Sequence, residues 1–189
     1  MPHPIQTLKE LFKLDAAQIE SVERMFVERN FSKGDIFDGQ HSMQAYVFYL
    51  KRGAARVFYT ANGREHTVQF AFDDEYLDTR STTTEVTIMF MEDSEVIYMP
   101  VSEMHDFFSE RESIHRQDAI LFMNVALIHR IKNLEERIFY TQHASAVERY
   151  RWVINRYPRL LECATITQVA SFLGLTKETL YRIRSGRYK

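Results

Sequence analysis

The sequence predicts an α+β fold: an N-terminal antiparallel β-barrel or jelly roll, a long dimerisation helix and a C-terminal all-α helix-turn-helix unit. Three observations predict it. Between about residues 27 and 99 the apolar residues alternate with a period near two, as in strands. From about residue 114 to 140 they recur with a period near 3.6, as in a helix. Short helical segments broken by Pro and Gly follow, so we expect units at 1–112, 113–141 and 142–189.

The composition is that of a soluble globular protein, with 45% hydrophobic and 26% charged residues. The single Cys163 excludes internal disulfides and multi-cysteine zinc or iron–sulfur sites. The sequence contains no nucleophile–base pattern, phosphate loop or metal motif, so we expect neither an enzyme nor a metal site. No apolar run approaches the ~20 residues of a membrane span. Residues 1–10 lack a secretion signal, which predicts a cytoplasmic protein without a membrane partner.

Short strands separated by turns are expected after two helices that cover residues 5–28. The strands are predicted at 27–31, 36–37, 46–50, 56–60, 66–72, 86–91 and 96–99. Asn62-Gly63 is the strongest hairpin signal, because both residues tolerate the positive φ of a tight turn. Strands of this length with regular turns indicate a small antiparallel barrel or jelly roll.

The long helix carries more apolar surface than packing on the strands requires. One stripe holds Ile120, Leu127, Ile131, Leu134 and Ile138, and the other holds Leu121, Val125 and Ile128. One stripe is enough to cover a barrel. The second predicts a partner helix, most simply that of a second copy, although burial within one chain is the alternative. The dimer interface is expected at Leu121, Val125, Leu127, Ile128 and Ile131.

The last part begins after a predicted hinge at 141–144. Ser145 and Glu148 fit a capping box, and the helix they open is expected to end before Pro158. Residues 166–184 then predict two short helices broken at Gly174, with Thr167 capping the first and Thr176 the second. The second helix has a charged outer face, which is typical of a helix-turn-helix. A pair of packed surface helices is the alternative.

The charge distribution favours the first interpretation. Residues 144–189 contain nine Lys or Arg and three Glu, a net charge of +6. Because the whole chain carries −2, residues 1–143 carry −8. A basic end on an acidic body is expected where that end contacts phosphates, so double-stranded DNA is the expected partner.

The order of these parts resembles the Crp/Fnr family of bacterial transcription regulators over almost the whole chain, and most of all its small Bacteroidetes members. The resemblance is carried by Gly34, Gly53 and Gly63 at turns and by residues 64–70, 92–96 and 169–176. It implies a cyclic-nucleotide-binding-type barrel, a homodimer joined by the long helix, and RNA polymerase as a further partner. It also implies that regulation acts through the long helix.

The second helix of the helix-turn-helix, the recognition helix, is similar in sequence to that of the family. Its basic residue, Glu and later Arg correspond to Lys177, Glu178 and Arg182. Arg or Lys can donate to guanine, and Glu can accept from cytosine, although Glu178 can equally be a first-turn carboxylate favoured by the helix dipole. The expected DNA-binding residues are Thr176, Lys177, Glu178, Thr179, Tyr181, Arg182 and Arg184. We expect contacts with DNA phosphates from the two threonines, Arg184, Arg187 and Lys189.

The effector site of the family has no close counterpart in this sequence. Nucleotide-binding relatives carry Gly-Glu, a short helix and then Arg-Ser or Arg-Thr, whereas residues 72–84 contain no Gly and four carboxylates. Carboxylates would repel an anionic ligand, so we expect no cyclic nucleotide cofactor, and only Arg80 and Ser81 imitate the end of the cassette. The sequence thus predicts a DNA-binding regulator with a degenerate effector site. The alternative is a ligand-sensing or protein-interaction module with a vestigial helix-turn-helix.

Overall fold

The computed structural model describes residues 6, 16–38, 45–79, 84–103 and 113–188. Most of the first predicted helix and the candidate effector residues Arg80 and Ser81 lie outside this range. Helix α1 (Ala16–Met25) precedes the strands. They are β1 (Val27–Phe31), β2 (Ile36–Asp38), β3 (Tyr46–Arg52), β4 (Ala55–Ala61), β5 (Arg64–Ala71), β6 (Glu75–Asp78), β7 (Thr87–Phe90) and β8 (Ser94–Pro100).

The eight strands form two four-stranded antiparallel sheets, in the orders β1-β8-β3-β6 and β2-β7-β4-β5. The jelly-roll form of the prediction is therefore confirmed, and the described strands do not close into one barrel. Apolar residues of both sheets meet between them, because alternate side chains of each strand face inward. Phe31 and Phe90 stack there with ring centroids 4.0 Å apart, beside the fully buried Phe48, Leu50 and Ile88.

The turns explain where the strands begin and end. Asn62 and Gly63 have φ of 52° and 70°, which joins β4 to β5 in the expected hairpin. Strand β6 was not among the predicted strands, and its two carboxylates, Glu75 and Asp78, are residue types that strands disfavour. Its four residues pair with β3, from Val47 opposite Asp78 to Leu50 opposite Glu75. The strand ladder thus recruits a segment with weak strand propensity.

Helix α2 (Ser113–His143) is the predicted long helix. It continues through most of the predicted hinge and breaks only at residues 144–145. The Thr141 hydroxyl donates to the Arg137 carbonyl at 2.7 Å, a bond that suits a helix interior. No described helix is both long enough and apolar enough to cross a membrane.

Four helices complete the chain: α3 (Ala146–Arg156), α4 (Leu160–Cys163), α5 (Ile166–Leu173) and α6 (Lys177–Arg184). We call residues 145–188 the head. The capping box of Ser145 and Glu148 is present, and α3 ends before Tyr157 as predicted. The predicted cap Thr167 is wrong. Thr165 is the N-cap, and its hydroxyl and the Gln168 side chain form a second capping box. The cap lies two residues earlier because Gln168 supplies the reciprocal bond at the third helical position.

The head shares a core with the jelly roll. Phe70 of β5, together with Ala54 just before β4 and Met91 just after β7, packs against buried residues of α3 to α6. The buried residues that the head contributes are Val153, Tyr157, Leu160, Val169, Ala170, Phe172, Leu173 and Leu180. The head is therefore packed on the sheet as well as joined to α2.

Candidate DNA-binding surface

The turn between α5 and α6 is fixed by Gly174. Its φ of 64° lies in the left-handed region, and its N–H donates to the Ala170 and Ser171 carbonyls. The Leu175 N–H also donates to the Ala170 carbonyl, at 2.9 Å, and the Leu175 side chain packs on the head core. These bonds satisfy the carbonyls at the end of α5 and reverse the chain within two residues.

Helix α6 buries one side and exposes the other. Leu180 is fully buried and Ile183 is half-buried. Lys177, Glu178, Tyr181, Arg182 and Arg184 are exposed, as the sequence predicted. Positions 177, 181 and 184 form one row along the helix and 178 and 182 form the next, because residues three or four apart lie on one face. The exposed rows present three cations and one carboxylate to a partner.

The threonines at the start of α6 are partly used within the helix. Thr176 is the N-cap and its hydroxyl accepts from the Thr179 N–H at 3.1 Å. The two hydroxyl oxygens lie 3.0 Å apart and share a hydrogen bond, so one of their two protons is already used. The pair retains one hydroxyl proton for a phosphate, whereas the sequence assigned a donor to each residue.

Three arginines of the head are engaged inside the molecule. Arg149 donates to the carbonyls of Ala144 and Leu173, at 3.0 and 3.3 Å. Arg156 pairs with Glu75 at 3.0 Å, and Arg159 pairs with Asp73 at 2.8 Å. These three are a third of the nine basic residues between positions 144 and 189. The exposed ones among the described residues are Arg151, Lys177, Arg182, Arg184 and Arg187.

The long helix leaves an apolar stripe exposed. Leu127, Ile131, Leu134 and Ile138 are 38, 51, 40 and 52% exposed, and Ile128 beside them is 51% exposed. The stripe follows steps of four, three and four residues, the spacing of a coiled-coil seam. Two predicted interface residues, Leu127 and Ile131, lie on it, and a third, Ile128, lies beside it. The side chains of Leu121 and Val125 lie outside the described part of the structure.

The stretch that corresponds in position to the family's effector cassette contains a turn and strand β6 in its described part. The Asp73 carboxylate accepts from the Gly53 N–H at 2.6 Å, and that of Glu75 accepts from the Phe72 N–H at 3.0 Å. Both carboxylates also pair with the head arginines named above. The pairing of these carboxylates reduces the repulsion of an anionic ligand that free carboxylates would cause.

The described residues contain no group of three or more His, Cys, Asp or Glu side chains that could hold a metal ion. Cys163 is half-buried, and burial raises the pKa of its thiol to about 11. The thiol is therefore protonated at neutral pH and is a poor nucleophile.

No protein-family model matches the sequence, and no curated protein matches it. Solved structures do. A transcriptional regulator of the Crp/Fnr family from Eubacterium rectale has a TM-score of 0.73 at 19% identity, covering 97% of this chain and 86% of its own. FixK2 from Bradyrhizobium japonicum has a TM-score of 0.69 at 17% identity, covering 85% and 83%. A CooA variant from Carboxydothermus hydrogenoformans has a TM-score of 0.64 at 20% identity, covering 95% and 83%.

These likenesses extend over the jelly roll, the long helix and the head, and do not stop at one part. The expected resemblance is thereby confirmed at the level of the fold. The chain has the fold of solved Crp/Fnr regulators, in which an antiparallel jelly roll is joined by a long helix to a helix-turn-helix.

Proposed function

We propose that this protein is a homodimeric transcription regulator that binds double-stranded DNA sequence-specifically through α6. The observation that carries the proposal is the exposed face of α6, which presents Lys177, Arg182 and Arg184 from a helix-turn-helix. The fold supports it, because structures described as transcriptional regulators share it over nearly the whole chain.

In this mechanism α6 enters the major groove. Lys177 and Arg182 donate to guanine O6 and N7, and Glu178 accepts from cytosine N4. Arg184, Arg187 and the remaining hydroxyl proton of the Thr176–Thr179 pair contact phosphates and fix the register. Two heads related by a two-fold axis would contact successive major grooves about one DNA turn apart.

The dimer forms through the exposed stripe of α2 in this proposal. Leu127, Ile131, Leu134 and Ile138 would meet the same residues of a second copy, because a two-fold interface is self-complementary. The apolar stripe ends at Ile138, and the head begins at Ser145, seven residues later. A dimer joined through the stripe would therefore fix the separation of the two recognition helices. A DNA site with matching two-fold symmetry follows from this arrangement.

The effector site is degenerate in this proposal and does not bind cyclic nucleotide. Residues 75–78 are a strand paired with β3, and Asp73 and Glu75 are directed at arginines of the head. The same fold serves proteins with other effectors: CLP from Xanthomonas campestris, at a TM-score of 0.61, is described as responsive to c-di-GMP. Arg80→Ala should leave DNA binding unchanged, with or without cyclic AMP.

The test is selection of genomic fragments with purified protein at two salt concentrations, with and without cyclic AMP. Enrichment of a two-fold symmetric site without nucleotide would support the whole proposal. Enrichment only with cyclic AMP would overturn the degenerate effector site. RNA polymerase is the further partner that the resemblance implies, and run-off transcription from a promoter carrying the selected site would report activation or repression.

The rival function is a sensor or protein-interaction module with a vestigial helix-turn-helix. One observation favours it: internal pairing of Arg149, Arg156 and Arg159 leaves fewer cations for phosphates. Salt-dependent binding separates the two functions, because counterion release requires several real phosphate contacts. Binding to no fragment, at either salt concentration, would favour the rival.

A further inference from the structure

Three carboxylates of the jelly roll reach the head from two turns. Asp73 and Glu75 belong to the acidic turn at residues 72–75, and Glu92 belongs to the turn between β7 and β8. Glu75 pairs with Arg156 at 3.0 Å, and Asp73 pairs with Arg159 at 2.8 Å. Arg159 also donates to Glu92, so one guanidinium joins both turns.

Apolar and hydrogen-bonded contacts lie beside these ion pairs. Phe70 of β5 meets Phe172 of α5 with ring centroids 5.1 Å apart, and Phe72 meets Tyr157 at 5.5 Å. The Ser171 hydroxyl donates to the Glu65 carbonyl at 3.1 Å and accepts from the Thr67 N–H at 2.9 Å. The unpaired edge of β5 is thus closed by a side chain of the head.

The long helix meets the same edge. Arg137 donates to the carbonyls of Thr67 and Val68, at 3.1 and 2.9 Å, and its guanidinium lies 4.7 Å from the centroid of the Phe172 ring. Burial lowers the pKa of Arg137. The jelly roll, α2 and the head therefore meet at β5, and the head does not pivot freely on the α2–α3 connection.

Docking leaves the DNA-binding face open. The docked face of the head is made by α5 and by residues 156–159, whereas Lys177, Arg182 and Arg184 of α6 remain exposed. A docked head can therefore present its recognition helix. In a dimer, two fixed heads would hold two recognition helices at one separation, which lowers the ordering cost of binding a two-fold site.

We propose that the ion pairs of Arg156 and Arg159 with Asp73, Glu75 and Glu92 form a latch that holds the head in its DNA-competent orientation. The inference rests on the proposed function. The latch gives the jelly roll a direct contact with the head, in addition to the connection through the long helix. Asp73 and Glu75 lie in the segment that corresponds in position to the family's effector cassette, so a change in that segment acts directly on the head.

The test variant is D73N/E75Q/E92Q in the full-length protein. The amides keep an oxygen that can accept from the Gly53 and Phe72 N–H groups, so the turn is preserved while its charge is removed. Removing three negative charges from the protein favours binding to DNA by itself, so the control must remove the same charge. The matched control is E85Q/D93N/E95Q. These three exposed carboxylates also lie on the jelly roll, and no described ion pair joins them to the head.

The first readout does not involve DNA. Hydrogen exchange of the Thr67 amide reports docking, because its acceptor is the Ser171 hydroxyl of the head. Partly exposed ion pairs each contribute little, so the three together should change opening by on the order of tenfold. We expect Thr67 exchange to rise about tenfold in the latch variant and to stay unchanged in the control. Equal exchange in both variants would overturn the latch.

The second readout compares a two-fold DNA site with its half-site. We expect the latch variant to bind the two-fold site roughly tenfold more weakly than the control does, while both bind the half-site equally. Tighter binding by the latch variant would mean that docking holds the head in an inactive orientation, which overturns the proposal. If no variant and no wild-type protein binds DNA, the proposed function fails, and the Thr67 amide still decides whether the latch exists.

Discussion

Arg182 lies in the middle of the exposed face of α6, which places it where a base edge would be read. Its guanidinium lies 5.7 Å from the centroid of the Tyr188 ring, a contact that limits its freedom before binding. Replacing Arg182 by Ala should weaken binding to the preferred site by about 1–3 kcal/mol and relax selection at one base pair. Competition binding with a set of single-base variants of the site measures both effects.

Arg184→Ala is the matched control, because it removes an exposed arginine of the same helix that we place at a phosphate. It should weaken binding to every sequence by a similar factor. An Arg182→Ala variant that also weakened all sequences equally would show that Arg182 contacts only phosphate.

Gly174 gives a second prediction at the scale of one residue. Its φ of 64° strains any residue with a Cβ, whereas an added Cβ would make only ordinary van der Waals contacts, with Thr141 Cγ2 at 3.8 Å as the nearest atom. Gly174→Ala should therefore lower the free energy of unfolding by about 1–2 kcal/mol through backbone strain alone. Gly174→Asn should cost less, because Asn tolerates the left-handed region. Equal losses in thermal unfolding would point to crowding instead.

Single-residue predictions with a local cause succeeded, apart from the Thr167 cap. The positive φ of Gly174 and the Ser145 cap follow from residue type and neighbours. The roles of Arg156 and Arg159 could not be predicted, because their carboxylate partners lie more than sixty residues away in sequence. A charge count assigns such residues to DNA, whereas the fold pairs them with the jelly roll.

At the scale of one element, the exposed stripe of α2 predicts how the protein assembles. Ile131→Glu would place a carboxylate in the seam of both copies. Losing two buried isoleucines should weaken the dimer by about 3 kcal/mol or more, which is roughly a hundredfold or more in dissociation constant. Sedimentation equilibrium over a concentration series measures the shift.

Lys132→Glu is the control, since it adds a carboxylate at the neighbouring exposed position, off the stripe. It should leave the dimer intact. A monomeric wild-type protein, or equal effects of the two variants, would contradict the proposed interface.

Elements were predictable where the hydrophobic period is strong. Strands β3 to β5 and helix α2 have a strong hydrophobic period, and each is present where the sequence predicted it. Strand β6 lacks it, since Glu75 and Asp78 bound a four-residue segment whose pairing with β3 alone makes it a strand. The choice of stripe was not decided by sequence either. Two apolar stripes predicted a partner, and exposure in the folded chain adds Leu134 and Ile138 to the open apolar surface.

For the whole molecule, the charge asymmetry reflects two roles of the basic residues, which the sequence alone does not distinguish. Part of the basic charge of the head holds it against the acidic jelly roll, through Arg156 and Arg159. Arg149 is bonded to backbone carbonyls, and five further described cations are exposed. The net charge of +6 over residues 144–189 therefore overstates what DNA would meet. The two groups of cations should differ in their effect on salt dependence, because only contacts to phosphate release counterions.

The salt dependence of binding separates these two groups of cations. A plot of log affinity against log salt concentration should lose about 0.9 units of slope for each phosphate contact removed. Arg184→Gln removes one contact from each head, so the dimer should lose a slope of roughly 2. Arg156→Gln should leave the slope unchanged even if affinity falls, because Arg156 pairs with Glu75 in place of a phosphate. An equal loss of slope in both variants would mean that Arg156 leaves Glu75 on binding, and that the head undocks when it meets DNA.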